Sequence, residues 1–418
     1  MQDAARLEAA GDLPGAIAAL RAAPASHRQR WPVQQSLGRL LIRVGDPRGA
    51  VAAFEQAAAL RPEAVDTWND LGAARAELGQ WLPARDAFER ARTLAPGDVD
   101  VHINLGTLAA SDDRLDEAAL LLRRAIELDP RRSRAHANLG RVLSRQHAHA
   151  SAREVFDRAC QLDPSDAMLT MDAALARVAA RAEDEAEAFI EQALRRHPGH
   201  AGLLAARTLA LAGQGRDAAV RRLQGLHRFV RTGALDVDPG AIASTVRADP
   251  TLTDSPRSHA TRGGQHSGAL DPDRQPVLAG LRDAIVERLR RYIHELPDID
   301  HPLVRARPRR IELLLWSVVL TEGGYQIPHI HPEAWLSGVF YAELPPAVGA
   351  GSTEAGCFRI GEIDPALQHR AQFERRTIVP EAGMLVLFPS YLWHRTVPWQ
   401  GPGHRVSVAF DVVAAAHV

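Results

Sequence analysis

The chain has 418 residues, of which 46% are hydrophobic and 24% charged, with a formal net charge of −1. That length exceeds what one hydrophobic core sustains, so two domains are expected. The near-zero charge speaks against a nucleic-acid or anionic-membrane partner, and no apolar run of about 18 residues suits a bilayer span.

Two cysteines, Cys160 and Cys357, are too few for a disulfide framework and read as buried free thiols. The first residues, MQDAARLEAAGDLPG, show no basic start and no apolar h-region. A reducing cytoplasm is the expected compartment.

The first half repeats. Prolines fall at Pro62, Pro96, Pro130, Pro164 and Pro198, each 34 residues after the last. Leu-Gly pairs at 37–38, 71–72, 105–106 and 139–140 keep the same period. Small residues recur at Ala16, Ala50, Ala84, Ala118, Ala152 and Ala186, and a large apolar residue follows four later (Phe54, Phe88, Leu122, Phe156). Each unit reads as two helices. The Leu-Gly glycine lets them approach, the large apolar residue fills the hollow, and proline ends the second helix. The pattern resembles the tetratricopeptide repeat over roughly residues 1–225. The resemblance implies a superhelix whose groove binds a protein or peptide, with Asn69, Asn104 and Asn138 as backbone-clamping candidates.

Periodicity then stops. Residues 235–275 are rich in Pro, Gly, Ser, Thr and Asp, which is loop chemistry. A loop of that length inside a compact protein is more often functional than idle. Arg262 and Gln265, in TRGGQHSG, are candidates for substrate contact at a pocket rim. Next, Leu278, Leu281, Ile285, Leu289 and Ile293 form the stripe of an amphipathic helix suited to cover a sheet.

From residue 311 short apolar runs separated by Gly and Pro argue for a β-sandwich or barrel. His329 and His331 lie one residue apart, so on an extended chain both rings share a face. His394 is a distant third imidazole. Three such groups can hold a divalent ion with open positions. A competing register, His331 and Glu333 with His394, would restore the two-histidine, one-carboxylate set of non-haem iron. Zinc accepts either set. Arg405 and Ser407 share a face of the last strand, a fork and hydroxyl suited to a buried carboxylate. Tyr325 is a further ligand-binding candidate.

The segments HIHPEAWLSGVFY, PEAGMLVLFPSYLWH and HRVSVAFD, with TRGG and SGALD upstream, resemble a bacterial family of 2OG-Fe(II) oxygenases often fused to tetratricopeptide repeats. The resemblance covers roughly residues 255–413. It implies Fe(II) on His329, His331 and His394, 2-oxoglutarate held by Arg405, and hydroxylation of a substrate recruited by the repeats.

The expected fold class is multidomain α + β, an N-terminal α-solenoid followed by a double-stranded β-helix (jelly-roll). The expected boundaries are 1–234 for the repeats, 235–275 for the connection and 276–418 for the oxygenase domain. Two other expectations compete. One is a non-catalytic scaffold with a degenerate jelly roll; the other is a three-histidine cupin-type metalloenzyme without 2-oxoglutarate.

Overall fold

The structure, a computed structural model, describes residues 2–24, 26, 30–255, 260–349, 354–363 and 373–415. It divides into two compact units, Met1–Asp163 and Pro164–Val418.

The first unit is a stack of helix pairs such as Val65–Glu77 with Trp81–Leu94 and Val99–Ser111 with Leu115–Leu128. The repeat glycines do what the period predicts. A Cβ at Gly38 would lie 2.4 Å from the Phe54 ring, and one at Gly72 would lie 2.6 Å from Phe88. The same holds at Gly106 against Leu122 and at Gly140 against Phe156, both at 2.7 Å. Each repeat proline stands just past the end of its second helix, as Pro62 does after Pro47–Leu60 and Pro96 after Trp81–Leu94.

The second unit opens with two more helix pairs, Ala167–Ala179 with Glu183–Arg196 and Ala201–Gly213 with Asp217–Gln224. Among the described residues ten strands follow: β1 (Arg231–Ala234), β2 (Thr253–Asp254), β3 (Thr261–His266), β4 (Ile311–Gln326), β5 (Leu336–Glu343), β6 (Phe358–Ile360), β7 (Arg376–Ile378), β8 (Met384–Pro389), β9 (His394–Thr396) and β10 (Arg405–Ala414). Seven make one antiparallel sheet in the order β1-β8-β5-β10-β4-β3-β2, and three make a second in the order β7-β6-β9. The architecture is thus an α-solenoid followed by antiparallel sheets.

The boundaries differ from those read off composition. Residues 231–234 pair with β8, and β3 pairs with β4 from Thr261 to His266. The expected connection therefore carries structure of its own, the strands Thr253–Asp254 and Thr261–His266 and the helix Pro239–Arg247. These strands are short and rich in Gly and Thr, so they carry no alternation to detect.

The largest core of the second unit runs from its helical segment into the sheet. It joins Leu204, Leu223 and Phe229 of the helical segment to Leu281 and Ile285 of the helix Pro276–His294 and to Phe340, Val386 and Phe410 of the sheet. Tyr391 donates to the Leu223 carbonyl at 2.9 Å and Tyr292 to that of Phe229 at 3.0 Å, so the buried ends of both are satisfied. Of the two cysteines, Cys357 is buried and Cys160 half-buried. No helix among the described residues is long and apolar enough to cross a membrane.

Candidate active site

β4 ends at Gln326, and the extended chain beyond it bonds to the segment entering β9. His329 and His394 exchange both backbone bonds at 3.0 Å, and the His331 amide donates to the Ser390 carbonyl at 3.1 Å. This fixes both histidines on the face toward His394. A ring nitrogen of each of the three lies within 4.8 Å of those of the other two.

Each ring is then oriented by its other nitrogen. Nδ1 of His329 meets the Ile327 carbonyl at 2.8 Å, Nδ1 of His394 the Leu392 carbonyl at 2.9 Å, and Nδ1 of His331 the Asp411 carboxylate at 2.9 Å. Carbonyl and carboxylate oxygens only accept, so Nδ1 carries the proton and Nε2 keeps its lone pair. Burial, and secondarily the His331 ring, pushes His329 down to about 4. His394 is held well below its usual range by burial and then by the other two rings. Both are neutral at pH 7, the form that binds metal.

Asp411 is itself anchored. Ser337 donates to its carboxylate at 2.6 Å and takes a bond from Ser390 at 2.8 Å. Glu333 is exposed and stands outside the cluster, so the second ligand register is not formed. Parity alone would keep Glu333 on the face of His329 and His331, but the extended chain gives way to a turn at 332–333.

A cavity of about 170 Å³ connects this cluster to β10. The three histidines, Arg405 and Ser407 all line it. Arg405 is 2% exposed, yet among the described residues no acid pairs with it. It donates to the Gly356 carbonyl at 3.0 Å and to the Tyr341 hydroxyl at 3.1 Å, leaving further N–H groups uncommitted. Tyr341 also lines the cavity, and burial raises its phenol so that it stays neutral. Ser407 donates to the Val318 carbonyl at 3.3 Å.

Other candidates fall elsewhere. Tyr325, Arg262 and Gln265 do not line the cavity; their neighbours Gln326, Thr261 and His266 do. Gln265 instead donates to Asp254 at 3.3 Å. A bulge between Arg262 and Gly264 shifts the register of β3 against β4. Trp316, stacked on His331 and on His266 at 5.7 and 6.1 Å between centroids, forms one wall. In the first unit Asn104 donates to Asn69 and Asn138 to Thr107, each at 2.9 Å, along successive first helices.

A family model described as "Putative 2OG-Fe(II) oxygenase" matches residues 314–411, and a tetratricopeptide repeat model matches residues 36–99 and 103–167. The chain joins tetratricopeptide repeats to a domain of that oxygenase family. Its similar solved structures are repeat proteins. MamA 41-end from Desulfovibrio magneticus RS-1 is 26% identical over 39% of this chain and 92% of its own, with a TM-score of 0.36. YrrB, described as a TPR protein with an unusual peptide-binding site, is 22% identical over 43% and 93%, at 0.36. A repeat protein from Parabacteroides merdae ATCC 43184 is 16% identical over 52% and 87%, at 0.44. Comparison with curated proteins returns no match.

Proposed function

We propose that the chain is an Fe(II)- and 2-oxoglutarate-dependent dioxygenase that hydroxylates a peptide or protein segment recruited by its repeats. The observation that carries this reading is Arg405, a buried guanidinium without an acid among the described residues, lining the same cavity as three metal-ready imidazoles. A buried unpaired cation is costly unless a ligand supplies the counter-charge. A dicarboxylate that chelates a metal at one end and ends in a second carboxylate meets both needs.

The donor set fits such a metal: three imidazoles, each oriented by a bond at Nδ1 that leaves Nε2 for the ion. Bound Fe(II), with 2-oxoglutarate and dioxygen, supplies oxidation of an unactivated C–H bond while the cosubstrate loses carbon dioxide and becomes succinate. The chain's own residues bind and orient. Arg405 offers a fork to the distal carboxylate, Tyr341 has its hydroxyl proton to donate, and Ser407 can turn from the Val318 carbonyl to the ligand. Phe358, Phe388, Val318 and Leu320 line the rest of the cavity and exclude water. We read the two sheets as the walls of a double-stranded β-helix.

The test is anaerobic addition of Fe(II) and 2-oxoglutarate to the full chain, then air. The expected result is a visible charge-transfer band followed by succinate, with both lost in Arg405→Ala. A metal site that ignores 2-oxoglutarate, or an Arg405→Ala variant that still depends on it, overturns the reading. The all-histidine ligand set favours one second reading, a three-histidine metalloenzyme without cosubstrate, in which Arg405→Ala leaves turnover intact.

A further inference from the structure

The second unit has another concave surface that shares no lining residue with the histidine cavity. It is a groove of about 840 Å³ between the helix Pro276–His294 and the start of β4. We propose that this groove docks an extended peptide, with acidic residues at i and i+4 flanking an apolar residue at i+2, which adds to β4 as a further strand.

The first support is an open sheet edge. Ala415 donates to the Arg310 carbonyl at 3.1 Å, so the even-numbered residues of β4 bond toward β10. The odd-numbered ones bond the other way. On that side the Leu315 carbonyl accepts from Leu270 at 2.8 Å, and Ser317 exchanges bonds with Ser267 at 2.8 and 3.1 Å. The neighbouring chain then leaves, because Pro272 starts a short 3₁₀ turn. Ile311 and Leu313 keep amide and carbonyl groups on this side with no partner among the described residues. Unpaired edges of this kind accept peptide strands through main-chain bonds.

Charge is the second support. Five arginines line the groove and no acid does. Arg307 and Arg309 are exposed and have no acidic partner among the described residues, while Arg290 reaches only to 3.9 Å from Glu287. Arg282, whose pairs with the exposed Asp273 and Asp283 at 2.6 and 3.0 Å are surface ion pairs of little net worth, and Arg290 stand eight residues apart on one helix, about 12 Å. Positions i and i+4 of a strand are about 13 Å apart, so two acids on one face match that spacing.

The apolar floor is the third. Val286 and Ile293 from the helix face Ile311 and Leu313 from the strand, a surface for the residue between the two acids. Bare polyanions make no use of such a floor or of an open backbone edge.

The test uses the full chain and a fluorescein-labelled Ser-Glu-Thr-Val-Thr-Glu-Ser peptide in anisotropy titrations. Binding is expected, weakening with salt, and at least ten-fold weaker when lysine replaces both glutamates. Of two versions N-methylated at alternate amides, only the one that blocks the edge facing β4 should lose binding. Arg307→Glu with Arg309→Glu should cost at least ten-fold. So should Leu313→Pro, which removes a donor on the open side and leaves the β10 ladder intact; the arginine pair serves alone if that variant fails to fold. No binding, equal binding of the lysine peptide, or equal behaviour of the two N-methylated versions overturns the proposal. So does tighter binding of a single-stranded oligonucleotide of equal charge.

Discussion

His331 takes its orientation from Asp411, a carboxylate 80 residues further along the chain. The acid that an ordinary non-haem iron site would place on the metal stands here behind an imidazole, one hydrogen bond from His331. Removing such an outer partner typically costs 10–100-fold in metal affinity. Asp411→Ala is expected to lose that much in anaerobic Co(II) or Fe(II) titrations. Asp411→Asn should lose less, because its amide oxygen still accepts from Nδ1.

The depressed histidines give a pH signature as well. With His329 near 4 when folded and 6.5 when unfolded, the unfolded chain binds more protons between those values, and His394 acts in the same direction. The metal-free protein should lose stability as pH falls from about 6.5 to about 4, and thermal scans across that range would show it. The three histidines were legible because one pair is adjacent in sequence. Asp411 and His266 were not, since their roles depend on which strands lie side by side.

At the scale of elements, the repeat period was legible down to single contacts. The glycine at 72 was read as clearance for Phe88, and the ring does occupy the space a Cβ would need. Gly72→Ala is therefore expected to cost about 1–3 kcal/mol through overpacking. Phe88→Leu should recover part of it, measured by urea unfolding of the full chain.

A second 34-residue rhythm escaped notice. Gly45, Gly79, Asp113, His147, Arg181 and Gly215 all occupy left-handed backbone at the turn between paired helices. Three are not glycine, so composition hid the pattern. The Cβ of any L-residue in that region strains the backbone by about 1 kcal/mol or more, and glycine carries no such strain. Arg181→Gly should raise the midpoint of thermal unfolding by about 2–4 °C, since a gain near 1 kcal/mol shifts a unit of this size by that much. The short strands β1 to β3 were illegible for a related reason. Their pairing is satisfied by backbone bonds to β8 and β4 and leaves little trace in side-chain pattern.

At the scale of the molecule, repeat sequence and repeat architecture end in different places. The 34-residue marks run on past Pro198, yet the compact unit that holds the histidines begins at Pro164. The last pair of its solenoid helices shares one core with the sheet, the pair before it packs in a second cluster that reaches Ile363, and buried bonds cross between helices and sheet. His301 bonds the Leu223 carbonyl at 3.2 Å, and the Gln224 side chain bonds the Glu374 backbone in both directions at 3.3 and 3.2 Å. A fragment starting at Leu235, where composition changes, would lose β1 from the edge of β8 and uncover Phe340 and Val386 on the side of Leu204, Leu223 and Phe229. Uncovering several fully buried apolar side chains at about 1.5–3 kcal/mol each exceeds the net stability of an ordinary domain. That fragment should aggregate. A fragment starting at Pro164 should stay monodisperse, melt cooperatively and bind Fe(II) as tightly as the full chain, and size-exclusion chromatography with metal titration of the two fragments side by side would decide it.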